Sequence, residues 1–153
     1  MFPFFSASEN QILGALLSHR VRFVIVGGAA VQHHGHERPR DDLDVLLEPN
    51  PQNAVKFAAA LKSCGMDLTA AQQERIGQPD PPLQMRLNSR YSIDVSTSIF
   101  AVPVADAIAA AELVHCQAGA VPFLSKGHLI ANKRARADAK DLADVEAIES
   151  RPA

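Results

Sequence analysis

Short apolar runs bounded by turn residues set the first elements of the chain. Residues 22–26 read Arg-Phe-Val-Ile-Val and stop at a Gly-Gly pair, and residues 43–47 are an apolar run interrupted by one Asp. Both runs predict buried strands, at 23–26 and at 43–47. Apolar and polar side chains alternate at 83–87 and again at 91–95, with Asn-Ser between them. These two segments predict an antiparallel hairpin.

Helical spacing of apolar residues accounts for most of the remainder. The predicted helices are a first one capped by Ser6 or Ser8, a short one at 29–34 that Gly35 ends, one at 54–64 with Val55, Ala58, Ala59 and Leu61 as its apolar positions, one at 104–113, and a long one from Lys126 to about Ile148 capped by Ser125. Residues 69–82 are polar and hold three prolines, which predicts a mobile insertion with one helical turn. Residues 114–123, broken at Gly119, predict a small hairpin at the sheet edge.

These elements predict a mixed α/β domain, in which a small sheet is flanked by helices. The 153 residues are enough for one domain, and we expect 1–153 to form it, with a core at about 20–122 and a C-terminal helical segment at about 124–150. A hydrophobic fraction of 47% and a charged fraction of 21% are globular values. No apolar run approaches the roughly 18 residues of a membrane span. With no signal peptide evident and two isolated cysteines, we expect a cytoplasmic protein with reduced, packed thiols and no membrane partner.

Charge is segregated along the chain although its net value is only -2. Residues 19–40 carry four Arg against one Glu, residues 41–51 carry four acidic side chains, and residues 123–140 carry five basic side chains against one Asp. The balance excludes a uniformly basic nucleic-acid binder, and no DNA partner is expected. An acidic centre between two basic segments suits cations with a polyphosphate, and leaves room for local contact with a polyanionic acceptor.

Three carboxylates on predicted strands are the main chemical signal. Asp42 and Asp44 lie two residues apart, so their side chains share one face, and Asp94 interrupts an apolar strand. A charge in such a place is costly unless it is paired or binds a metal. Carboxylate oxygens suit Mg²⁺ or Mn²⁺, and two such ions are a known means of phosphoryl or nucleotidyl transfer.

Gly27 and Gly28 follow a strand and open a helix, which is a suitable place for phosphate. Their backbone N–H groups at a helix start are suited to hold a triphosphate, and the missing Cβ permits close approach. The G-x-G-x-x-G fingerprint is absent, and no G-K-[ST] follows as in a Walker A loop.

The order of these motifs resembles the nucleotidyltransferase superfamily. Gly27-Gly28, 13 intervening residues and Asp42-Leu43-Asp44-Val45 are similar to its G-[GS]-x(9–13)-D-h-[DE]-h signature, and Asp94 falls where it has a third carboxylate. The segments 38–44, 91–99, 124–133 and 136–144 resemble the corresponding parts of AbiEii-like toxin nucleotidyltransferases, so the likeness covers about 20–148.

The resemblance implies a polymerase-beta-like fold and a role for each matched residue. Asp42 and Asp44 would bind two Mg²⁺ or Mn²⁺ ions, Asp94 would bind the catalytic ion and help to activate a hydroxyl, Gly27, Gly28, Lys133, Arg38 and Arg40 would contact the nucleotide, and Asp141 and Lys140 would support that contact. The implied reaction moves an NMP from an NTP to a hydroxyl on tRNA, protein or a small molecule, and the implied partner is an antitoxin.

Several alternatives remain open at this stage. Arg40 stands where many relatives have a small hydroxyl residue, and it is able to pair with Asp41, bind phosphate or occupy the metal pocket. His33, His34 and His36 have no matched Cys or second His cluster in the sequence, so a zinc site is disfavoured. The competing functions are a non-catalytic nucleotide- or partner-binding module on the same fold, and a metal-dependent phosphodiesterase or phosphatase.

Overall fold

A computed structural model describes residues 5–87 and 92–151, which form a mixed six-stranded sheet flanked by seven helices in these ranges. The helices are Ala7–Ser18 (α1), Gly27–His33 (α2), Pro51–Ser63 (α3), Ala70–Ile76 (α4), Val104–Ala109 (α5), Lys126–Arg136 (α6) and Ala139–Glu149 (α7). The strands are Phe23–Val26 (β1), Leu43–Leu47 (β2), Gln84–Arg86 (β3), Ile93–Ser96 (β4), Glu112–Cys116 (β5) and Gly119–Phe123 (β6). The predicted fold class is therefore confirmed.

The sheet order is β3-β4-β2-β1-β6-β5. The neighbours β2 and β4 run parallel, as do β1 and β6, and the other three pairs are antiparallel. The predicted hairpins are both confirmed, and β5 lies at the edge as expected. Residues 88–91, which include the predicted Asn-Ser turn and the predicted start of the fourth strand, lie outside the described residues.

Central strands are buried on both faces, which is why they read as continuous apolar runs. All four residues of β1 are buried, and four of the five in β2 are buried as well. The exception in β2 is Asp44, which is only partly buried. The Asp44 carboxylate thus lies where the sheet borders a cavity.

Several helix predictions need correction. The segment 69–82 contains the two-turn helix α4, because Thr69 and Gln72 form a capping box and Ile76 is fully buried. The predicted helix 104–113 ends at Ala109, and Glu112 already begins a strand. The apolar face of α3 was predicted only in part: its buried apolar positions are Ala54, Phe57, Ala60 and Leu61, of which Leu61 alone was predicted, and Val55 is 56% exposed.

The long C-terminal helix is two helices. Ala137 takes a left-handed conformation with φ of 57°, and Asp138 then caps α7 by accepting a hydrogen bond from Asp141 N. Because of this break, Lys133 and Lys140 lie on two different helices, and the prediction that one continuous helix carries both is wrong. The break folds α7 back onto α6 and buries Asp141 and Asp144.

Asn53 joins the first two strands to α3. Its side chain accepts a hydrogen bond from Arg22 N at 2.7 Å and donates to the carbonyl oxygens of Arg22 and Glu48, both at 2.9 Å. We expect Asn53→Ala to lower the free energy of unfolding by about 2–3 kcal/mol, because buried backbone groups lose their partners. Urea denaturation measures this loss, with Gln52→Ala at the exposed neighbour as the control. A loss no larger than that of the control would contradict this role.

Candidate active site

The sheet register brings two of the predicted carboxylates side by side. Asp44 on β2 and Asp94 on β4 are direct partners in the parallel pair, and Asp42 lies just before β2. Parallel partners project their side chains on the same face of a sheet. Asp42 is close enough to Asp94 to form a hydrogen bond with it, so all three lie at one end of the sheet.

Gly27 lies against Asp44 for a reason that the register explains. Val26 is the β1 partner of Asp44, so the next residue along the chain turns directly over that carboxylate. Gly27 has φ of 61°, and a Cβ built there would overlap the Asp44 side chain. The backbone N–H of Gly28 donates a hydrogen bond to the Asp44 carboxylate. Gly27 is therefore required by the close approach of Asp44.

Burial and nearby negative charge disfavour the ionised forms of Asp44 and Asp94. Burial, followed by the charge of Asp94, raises the pKa of Asp44 from 3.8 to about 6. Burial, followed by the charge of Asp42, also raises the pKa of Asp94. A divalent cation would relieve both effects by favouring the charged forms.

Arg86 supplies a positive charge to this group. It lies on β3 opposite Asp94, and its guanidinium donates to both Asp42 oxygens at 2.9 and 2.8 Å and to Asp94 Oδ2 at 3.2 Å. A cation is thus held between two of the three carboxylates. This contact was not predicted, although the alternation in 83–87 places Arg86 among the polar positions of the strand.

Arg40 is anchored on the first helix. Its guanidinium donates to both Glu9 oxygens at 2.7 and 2.8 Å, to Gln32 Oε1 at 3.1 Å and to Asp42 O at 3.1 Å. Burial favours the neutral form of Glu9, but the bonds from Arg40 and Ser6 outweigh it and leave the pKa of Glu9 below its usual value. The guanidinium that lies on the Asp42 and Asp94 carboxylates is that of Arg86, and Arg40 instead fixes the loop before β2.

A second ionic cluster joins the loop before β2 to the C-terminal helices. Asp144 is fully buried and accepts hydrogen bonds from Arg38 Nε at 2.8 Å, Arg38 Nη2 at 3.0 Å and His36 Nδ1 at 2.7 Å. Lys133 is 5% exposed, and its Nζ lies 3.2 Å from Asp141 Oδ1 and 3.4 Å from Asp144 Oδ2. Asp141 and Asp144 are thus the partners of Arg38 and Lys133, and are not surface residues of a helix.

Two adjoining cavities open beside these groups. The larger one, about 380 Å³, is lined by Asp44, Asp94, Ser96, Phe100 and Asn132 among others. The smaller one, about 250 Å³, has Gly28 and Asp42 on one side and a set of cationic residues around it. Those cationic residues are Arg38, Arg40, Lys133, Arg136 and Lys140. Gly27, Asp44, Lys133 and Arg136 line both cavities. Every site residue predicted from the sequence therefore lines one of the two.

The histidines near the site have other partners. His33 and His34 lie close to Glu112, a contact that was not predicted. The ring nitrogens and the carboxylate oxygen of these three residues lie within 4.8 Å of one another. His34 Nε2 is 2.7 Å from Leu124 O, so this nitrogen donates to the carbonyl. Burial, followed by the charge of His34, lowers the pKa of His33.

Comparison with known proteins supports the fold. No protein-family model and no curated protein sequence matches the chain. Among solved structures, it is similar to the aminoglycoside nucleotidyltransferase ANT(2'')-Ia in complex with adenylyl-2''-tobramycin, at 15% identity and a TM-score of 0.57, covering 92% of this chain and 84% of that one. Within the described residues, no helix is long and apolar enough to cross a membrane. At this identity the likeness is one of architecture: the chain has the fold of a nucleotidyltransferase.

The raised pKa of Asp44 predicts a pH dependence of stability in metal-free buffer. The folded state binds this proton more tightly than the unfolded state, so stability is lost as the pH rises from about 4 to about 6. We expect Asp44→Asn to gain stability relative to the natural chain across this interval, measured by urea denaturation at each pH. The exposed Asp67→Asn is the control. A difference between Asp44→Asn and the natural chain that stays constant from pH 4 to pH 7 would contradict the prediction.

The position of Arg86 predicts competition with divalent cations. Arg86→Gln should tighten Mn²⁺ binding to the nucleotide-free protein by about two- to tenfold, because the exposed guanidinium that a divalent ion must displace is then absent. Calorimetric titration measures the change, and Arg75→Gln on the exposed face of α4 is the matched control. Equal or weaker Mn²⁺ binding by Arg86→Gln would show that the guanidinium does not occupy the cation position.

Proposed function

We propose that the chain is a metal-dependent nucleotidyltransferase that moves an NMP from an NTP to a hydroxyl acceptor. The observation that carries the proposal is the direct pairing of Asp44 with Asp94 on parallel strands, beside Asp42 and under the Gly27-Gly28 turn. Similarity to a nucleotidyltransferase over 92% of the chain supports the same reading. The acceptor, whether tRNA, protein or a small molecule, and the toxin role with an antitoxin partner remain predictions of the sequence resemblance.

The residues present suit Mg²⁺ or Mn²⁺. Asp42, Asp44 and Asp94 offer only carboxylate oxygens. The Arg86 guanidinium binds two of them, Asp42 and Asp94, so these carboxylates already attract a positive charge. These three residues would hold the ions. Bound divalent ions would neutralise charge on the triphosphate and on the leaving pyrophosphate.

The chain's own groups then account for substrate positioning. The N–H groups at Gly27 and Gly28 and the cations around the smaller cavity, among them Lys133 and Arg136, would hold the triphosphate. Arg38 and Lys133 keep fixed positions because Asp144 binds both. Preorganised charge of this kind lowers the barrier to phosphoryl transfer.

Asp94 is the proposed proton acceptor. The acceptor hydroxyl oxygen forms a bond to the α-phosphorus, the bond from that phosphorus to the bridging oxygen of the β-phosphate breaks, and pyrophosphate leaves. The hydroxyl proton passes to the Asp94 carboxylate.

One observation favours a second candidate, a non-catalytic binding module on the same fold. Arg86 pairs with both Asp42 and Asp94, so a side chain of the protein already balances part of their charge. If that contact persists when nucleotide binds, the site would bind an NTP without ordering cations for chemistry. Nucleotide binding that needs no metal and leads to no turnover is the signature of this alternative.

Transfer of label tests the first candidate. Each α-labelled NTP is incubated with Mg²⁺ or Mn²⁺ and, separately, with total tRNA, a protein extract or a polyol such as tobramycin. We expect labelled acceptor and released pyrophosphate, a loss of both in Asp94→Asn, and no loss in the surface control Asp67→Asn. Release of phosphate in place of pyrophosphate would indicate a phosphatase. The absence of transfer to every acceptor, with NTP binding intact, would favour the binding module.

A further inference from the structure

Phe100 is an exposed aromatic side chain on the wall of the larger cavity. It is 63% exposed, whereas Phe23, Phe57 and Phe123 are each no more than 3% exposed. Leaving a phenyl ring in water forfeits the free energy that its burial would supply. Phe100 lines the same cavity as Asp94, so the ring stands beside the carboxylates and not on a remote surface.

The turn that carries Phe100 is held from several sides. Ile99 and Val102 form an isolated antiparallel bridge across it, and Val102 is buried in the core. Ala101 has φ of 68°, a left-handed conformation that a non-glycine residue adopts only when its surroundings impose it. Asn132 on α6 is buried and donates a hydrogen bond from Nδ2 to Phe100 O at 3.0 Å. The ring is thus presented by a fixed backbone.

The two cavities differ in their lining as the triphosphate and the base of an NTP differ in their chemistry. The smaller one is lined by the Gly27-Gly28 backbone, five cationic side chains and five Asp side chains, and its cations and N–H groups suit a triphosphate that is accompanied by divalent ions. The larger one contains apolar wall residues, among them Leu83, Val95, Ile99 and Phe100, which suit a planar base. Its volume of about 380 Å³ lies within the range of about 300–1,000 Å³ that is usual for small-ligand sites. Asp44 lines both cavities, so it would lie beside the α-phosphate, which joins the nucleoside to the rest of the triphosphate.

We propose that Phe100 is the stacking platform for the nucleobase of the bound NTP, fixed in place by Asn132. This inference rests on the proposed function, because it assigns a contact for the nucleobase of the same NTP, the part that the carboxylates and cations do not contact. Base–aromatic stacking tolerates any base because each has a π-face, and it is typically worth on the order of a five- to hundredfold change in affinity. The proposed ligand is therefore a nucleoside triphosphate bound through its base as well as its phosphates.

The composition of the chain offers a direct probe. It contains no Trp, so Phe100→Trp introduces a single indole at the proposed platform. We expect ATP with Mg²⁺ to quench this fluorescence and inorganic tripolyphosphate with Mg²⁺ to leave it nearly unchanged. The control is Leu113→Trp, at an apolar position that is 69% exposed on β5, at the opposite edge of the sheet from β3. ATP should not quench that indole.

Calorimetry with Phe100→Ala completes the test. We expect ATP to bind this variant about five- to a hundredfold more weakly than it binds the natural chain, with tripolyphosphate affinity unchanged and Phe100→Trp restoring ATP affinity. ATP binding that Phe100→Ala leaves unchanged, or ATP quenching of both indoles alike, would overturn the stacking role alone. If the natural chain binds neither ATP nor tripolyphosphate, the proposed function falls together with this inference.

Discussion

Repulsion among three carboxylates at one end of the sheet is the constraint on which the site depends. Asp44 and Asp94 are direct partners on adjacent strands, and Asp42 lies close enough to bond to Asp94. Such a group is costly to fold, because burial and the neighbouring charges raise the pKa of Asp44 and of Asp94. The surrounding structure lowers that cost with the Gly28 amide and the Arg86 guanidinium. A site with no use for the charges would be more stable with neutral side chains.

The other ionic groups of the chain stabilise the frame of this site. Arg40 ties the loop before β2 to Glu9 on α1, and Arg38 ties the same loop to Asp144 on α7. Both partners are largely buried, so the loop that delivers Asp42 is clamped from two sides. The turn over Asp44 is equally constrained, since Gly27 leaves no room for a side chain. Gly27, Gly28, Asp42 and Asp44, four of the residues proposed to bind phosphate or metal, are therefore positioned by one segment, residues 27–44.

Local chemistry made the two central strands predictable from sequence. The limits of β1 and β2 follow from their apolar runs and the turn residues beside them, and both were predicted to the residue. The position of Arg86 was not accessible, because it depends on a hairpin register that the turn length sets. The break at Ala137 was missed since left-handed Ala has no sequence signal, and it moved Lys140 onto a separate helix. Phe100 was missed because exposure of a single aromatic residue is decided by tertiary packing alone.

A structure of the protein with an NTP and Mn²⁺ tests the central claim most directly. Anomalous scattering would locate the manganese independently of the protein atoms. We predict that Mn²⁺ is coordinated by Asp42, Asp44 and Asp94 beside the α-phosphate, and that the Arg86 guanidinium is displaced from Asp42 and Asp94. Bound nucleotide with Arg86 still on those two carboxylates, and no manganese among the three, would contradict it.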